Sequence, residues 1–156
     1  MNISLVSIGD RMPSWVSSGV DTYTQRLPSP WRPQLIEIPR PKGANKKKDR
    51  NAQCRRESEA LLAHLNTDHW VIALDPRGKS LDTGQWSRKM QAWAREDKQV
   101  ALLIGGSDGL HDDCIRRAND VWSLSALTFP HMLVRVLVAE QLYRAWTVLH
   151  GHPYDK

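Results

Sequence analysis

Cysteine is scarce in this 156-residue chain, with only Cys54 and Cys114, far apart and without CxxC spacing. That scarcity argues against a disulfide framework or a thiolate metal site and fits a reducing cytosol. No apolar run is long enough to span a bilayer, and no charged-then-apolar leader opens the sequence, so the expectation is a cytoplasmic protein without membrane partners. Neither a GxGxxG fingerprint nor a P-loop occurs, which makes a conventional dinucleotide or triphosphate site a weak reading. Internal repeats are absent, and the only biased stretch is a short lysine run.

What is present is ordinary in bulk and uneven in detail. A composition of 40% hydrophobic and 25% charged residues is that of one globular domain, 1–156. The net charge of +5 is concentrated: Arg40 to Arg56 holds eight basic residues against Asp49 alone, and the remainder is close to neutral. Such a stretch is either the footprint of a polyanion-binding surface or a solvated lysine-rich loop.

Apolar periodicity gives alternating strands and helices. Strands are expected at Ile3–Ile8, Leu35–Ile38, Trp70–Leu74, Val100–Ile104 and Val121–Leu124. Helices are expected over Met12–Leu27, Lys46–Leu65, Thr83–Glu96, Asp112–Ala118 and from Pro130 to about Leu149. Asp75-Pro76-Arg77-Gly78 reads as a turn closing the third strand. Val100–Ile104 is apolar throughout, as a strand covered on both faces should be. The pattern predicts an α/β fold with a mostly parallel sheet flanked by helices.

Ligands of open α/β sheets bind at the carboxyl ends of the strands. Three such ends are distinctive: Leu74 to Gly78, Ile104-Gly105-Gly106-Ser107-Asp108-Gly109, and Ser123 to Pro130. Glycines in the first two permit close backbone approach, and the third offers backbone N–H groups beside an apolar wall, which fits an adenine ring and ribose.

Leu103 to Leu110, Leu124 to His131 and Arg135 to Ala145 resemble the RlmH family of SPOUT-class methyltransferases. So do Ile3 to Gly9, Leu35 to Pro39 and the closing His152-Pro153-Tyr154, so the likeness runs end to end. It implies a single SPOUT-type domain with a C-terminal trefoil knot, working as a homodimer. It also implies S-adenosyl-L-methionine (SAM) as methyl donor and N3 of a pseudouridine in 23S rRNA as acceptor, in the large subunit of the assembled ribosome. Carried over by position, the donor pocket comprises Leu74, Gly105, Gly106, Leu124, Ser125, Ala126, Leu127, Thr128 and Phe129. The tail departs from the family in having Asp155 where a histidine is usual.

A sulfonium-bound methyl is already activated, so the donor requires no metal. The N3 imide becomes nucleophilic only as its proton leaves, which calls for a base or for a cation beside the flanking carbonyls. His131, at the first turn of the last helix, and Arg135, one turn on, are candidates. Each has a structural alternative: His131 as a packing or capping residue, Arg135 as the partner of an acid such as Glu140, which could equally pair with Arg144 at i+4. Tyr154 is the third catalytic candidate, stacking on a flipped base or anchoring the tail. The wide apolar stripe of the last helix points to a second covered side and hence a dimer. Two rival functions remain at this stage: a non-catalytic RNA binder using the basic stretch and the tryptophans, or a SPOUT enzyme modifying tRNA or a ribose hydroxyl.

Overall fold

The computed structural model describes residues 1–42 and 49–155. Five strands, β1 (Asn2–Ile8), β2 (Gln34–Ile38), β3 (His69–Ser80), β4 (Gln99–Ile104) and β5 (Asp120–Ser123), form one sheet in the order β2-β1-β4-β3-β5. Every pairing is parallel, so the sheet is wholly rather than mostly parallel. Four helices connect the strands, α1 (Ser14–Thr24), α2 (Arg50–Leu62), α3 (Thr83–Arg95) and α4 (Asp112–Arg117), and α5 (His131–Leu149) follows the last. The expected start of the second helix, at Lys46, and Lys46 to Lys48 of the basic stretch lie outside the described residues.

Period-two alternation sorts the apolar strand residues onto two faces. Val100, Leu102 and Ile104 join Ile3, Leu5 and Ile72 beneath α1, α3 and α5, while Ala101 and Leu103 join Val6, Ile8, Val71 and Ala73 beneath α2 and α4. Burial on both faces is why β4 reads as an unbroken apolar run. Trp86, Trp93 and Trp122 form a cluster in the first core, with Trp86 and Trp122 ring centres 5.0 Å apart. Trp31, Trp70 and Trp146 pack against that core, which leaves Trp15 as the exposed tryptophan. The indoles are thus mostly core material, which removes the tryptophan argument for a simple RNA binder.

The turn expected at Asp75–Gly78 is not a turn. β3 continues to Ser80, with a register shift between Leu74 and Lys79 in its pairing with β5. Asp75 is satisfied within the strand by Arg77, whose backbone N and Nε lie 2.9 Å from Oδ1. Gly78 runs so close to β5 that a Cβ there would stand 2.6 Å from the Val121 and Trp122 backbone. A sequence that usually breaks a strand here forms an irregularity in the pairing of β3 with the edge strand β5.

Candidate functional site

Residues 74–76 of β3, where its pairing with β5 becomes irregular, converge with the carboxyl ends of β4 and β5. They enclose a cavity of about 440 Å³ with a mainly apolar lining, completed by the first turn of α5. Leu74, Gly105, Gly106, Leu124, Ser125, Leu127, Thr128 and Phe129 line it; Ala126 does not. His131 lines it as well. Neither Arg135 nor Tyr154 belongs to its wall within one chain.

Each wall has a local cause. The β4 loop folds back on itself, Gly109 N donating to Gly106 O at 3.0 Å. α2 supports it from below: Cys54 Sγ lies 3.5 Å from Gly109 O, and Ser58 Oγ accepts from His111 N at 3.0 Å. Burial pushes the Cys54 thiol up to about 11, so it packs as an inert group. A Cβ on Gly105 would stand 2.5 Å from the Gly109 carbonyl, so the fold of this loop requires glycine there. The β5 loop is curled by its own serines, Ser123 Oγ donating to Ser125 O and Ser125 Oγ accepting from Leu127 N. Leu127, 69% exposed, forms the lip.

Asp75, which the sequence reading placed in a turn, is the carboxylate of this wall. Burial alone would raise its pKa, but the Arg77 guanidinium and backbone N–H hold it below the ordinary carboxylate range. Arg77 in turn reaches Asp112 Oδ1 at 2.7 Å and Leu110 O at 3.2 Å, tying β3 to the chain after the glycine loop. Asp75 is therefore favoured as the ionised form, its charge balanced by the Arg77 guanidinium behind it.

His131 is held below its usual pKa, first by burial and then by the charges of Arg135 and Arg40. Arg135 points away from the cavity wall and is fully buried. Its Nη2 donates to Ile8 O and Gly9 O, each at 2.8 Å, and its Nη1 lies 3.5 Å from Glu37 Oε2. Of the two arginines the sequence offered to Glu140, it is Arg144 that it meets, accepting from Nε at 2.8 Å.

Tyr154 lies against α5, its ring 4.7 Å from that of Tyr143 and under the Arg144 guanidinium. Its hydroxyl is 3.2 Å from Glu140 Oε1, and burial with the Glu140 charge pushes its pKa up to about 12. Asp155 also meets Arg144, at 3.3 Å. Within one chain, the tail is therefore anchored along α5 rather than over the cavity.

Two buried groups had no sequence signal. Asp75 was disguised by its turn-like neighbours. Glu57 reads as an ordinary polar residue of α2, yet it is 1% exposed beneath the glycine loop, because that cover comes from a distant part of the chain.

A family model described as "Predicted SPOUT methyltransferase" matches residues 1–155. Proteins named ribosomal RNA large subunit methyltransferase H are similar along the whole chain. The one from Hahella chejuensis is 49% identical over 100% of this chain and 99% of its own length; that from Alkalilimnicola ehrlichii is 50% identical over 100% and 99%. The chain belongs to the RlmH family of SPOUT methyltransferases. A solved structure of a probable methylase family protein from Haemophilus influenzae gives a TM-score of 0.60 at 17% identity, covering 99% of this chain and 70% of that one. TrmJ from Z. mobilis gives 0.53 at 16%, covering 94% and 71%. These two likenesses establish the fold, and in this RlmH-family chain the cavity lies where the ends of β4 and β5 meet the irregular stretch of β3.

Proposed function

We propose that this chain transfers a methyl group from SAM to N3 of a pseudouridine in large-subunit rRNA, acting on the assembled ribosome in the cytoplasm. The observation that carries the reading is the cavity, about 440 Å³ and walled by the glycine loop, the β5 loop and His131, in a chain nearly half identical to proteins named rRNA large subunit methyltransferase H.

The residues present fit the donor. The volume lies within the range of small-molecule sites, and the apolar β5 loop suits an adenosine. Leu74, Gly105, Gly106 and 124–129 would hold it, Ala126 through its backbone position in that loop. Asp75, paired with Arg77, places a carboxylate in the wall beside the donor. Bound there, SAM supplies a methyl group that is already activated by its sulfonium. His131, neutral in its surroundings, accepts the N3 proton at the cavity mouth.

Arg135 fixes the turn of α5 on which His131 sits. Tyr154 acts from the tail on the substrate side, and dimerisation is what would bring it to a second chain's cavity. The homodimer is part of this reading, supported by the wide apolar stripe of α5. The trefoil knot belongs to the same reading, supported by α5 returning from the edge strand β5 to pack on α1 and α3. No helix among the described residues is long and apolar enough to cross a membrane.

The direct test is incubation of the protein and labelled SAM with intact ribosomes and with naked rRNA. Label should enter one pseudouridine of the large-subunit RNA in ribosomes and much less in naked RNA. No label in either, or label only in tRNA, would overturn the reading.

His131 adds a pH signature. Because its folded pKa lies below the usual value of about 6.5, the rate should fall only when acid protonates it below that pH, and be flat through neutrality. His131→Asn should slow turnover by roughly a hundredfold and abolish that acid limb. An unchanged limb in the variant would remove His131 from the proton transfer.

A further inference from the structure

A buried acid, an exposed arginine and the donor loop meet at one point beside the cavity. Glu57 is 1% exposed, and its Oε1 accepts from Arg40 Nε at 3.1 Å and from Gln53 Nε2 at 3.4 Å. Its Oε2 has no hydrogen-bond partner among the described residues and lies directly under Gly106, where a Cβ would stand 2.9 Å away. Burial pushes the Glu57 pKa up, and the hydrogen bonds of Gln53 and the Arg40 charge act against that shift, so the geometry of the Arg40 contact matters to this acid.

That contact, Arg40, is itself half exposed, and its Nη2 is 3.8 Å from Asp108 Oδ2. Asp108 stands between Ser107 and Gly109, both of which line the cavity. Arg40 is also close enough to His131 for its charge to act on that imidazole. The guanidinium is therefore aimed by its Nε edge at Glu57 and presents its Nη2 beside Asp108, next to the glycine-loop wall of the cavity. Lysine-rich loops offer mobile charges, whereas this one is held by an acid fixed in the core.

We propose that Arg40, oriented by Glu57, is a substrate-positioning residue that binds a backbone phosphate of the RNA next to the target nucleotide. The inference rests on the rRNA methyltransferase reading above. An incoming phosphodiester displaces the long Arg40–Asp108 contact, while the Glu57 contact keeps the fork in register. This contact positions the nucleotide over His131 and carries no sequence information of its own.

The test is steady-state methylation of intact ribosomes across a monovalent salt series at fixed magnesium. Arg40→Gln should raise the KM for ribosomes about tenfold, equivalent to one lost charged contact, with a much smaller effect on kcat. The slope of log KM against log salt should shrink by about one, as for one lost phosphate contact. Arg40→Lys keeps the charge and should keep the slope, with only part of the affinity.

Calorimetric affinity for SAM should match that of the parent protein in both variants. An unchanged slope in Arg40→Gln, with or without weakened SAM binding, would reduce Arg40 to a structural partner of Glu57 and overturn the proposal. If the parent protein fails to label ribosomes at all, the proposed reaction itself falls, an outcome distinct from failure of the Arg40 variant alone.

Discussion

Gly105→Ala should abolish measurable SAM binding while leaving the chain folded. The added methyl carbon would stand 2.5 Å from both the carbonyl carbon and oxygen of Gly109 and 3.0 Å from Leu110 N. These are backbone atoms, so no rotamer change relieves the overlap, and the 106–109 loop must move outward by roughly an ångström. That loop is a wall of the cavity. Its displacement opens the site and misdirects the groups meant to hold the donor, and loss of well-placed contacts worth about 3 kcal/mol or more is a hundredfold or greater loss of affinity.

The fold should survive, because overpacking one loop costs about 1–3 kcal/mol against a total stability of about 5–15. Calorimetry should show no heat with the donor at concentrations that saturate the parent protein, and circular dichroism should show an unaltered helix content. Gly105→Arg should behave in the same way, since the first carbon alone creates the clash. Retained affinity would show that the donor does not bind against this loop.

How much of this was legible in the sequence depends on how local each cause is. The β4 strand and the loop that follows it could be read because each of their features is carried by contiguous residues: an apolar run buried on two faces, then glycines where backbones cross. The cavity-lining loop before α5 was legible for the same reason, as small and apolar residues leading into a proline-started helix. The end of β3 was not. Asp, Pro and Gly in succession signal a turn, and only the neighbouring β5 backbone and the Arg77 side chain convert that stretch into an irregularly paired strand.

Partner choice was the least legible level. Arg135 sits in an apolar stripe that announces a buried cation in need of an acid, and Glu140 is the nearest in sequence on that helix. The acid it meets is Glu37, on another strand, and its best hydrogen bonds go to two backbone carbonyls at the end of β1. Parallel-sheet topology brings β1, β2 and the start of α5 to one edge, and no spacing rule within the helix contains that information. Glu57 illustrates the same limit: a charged residue becomes buried because the glycine loop covers it from above.

Arg135→Met separates the structural from the catalytic reading of that residue. Methionine keeps much of the volume and all of the apolar contact, so the change removes chiefly the donors. Ile8 O and Gly9 O then lose the guanidinium, and Glu37 is left without its cation. Unsatisfied buried acceptors cost about 1–3 kcal/mol each, offset in part because the buried charge is also removed. Chemical denaturation should therefore show a loss of about 3 kcal/mol.

The same substitution acts on His131 through charge. Arg135 is one of the two cations that hold its pKa down, so removing it favours protonation. The acid limb of the rate profile should move to higher pH, towards the ordinary imidazole value of about 6.5, while the rate on the neutral plateau falls little. A variant of unchanged stability that had lost turnover on the plateau would instead place Arg135 in the chemistry, because a buried clip cannot be removed without cost and a substrate-facing cation can.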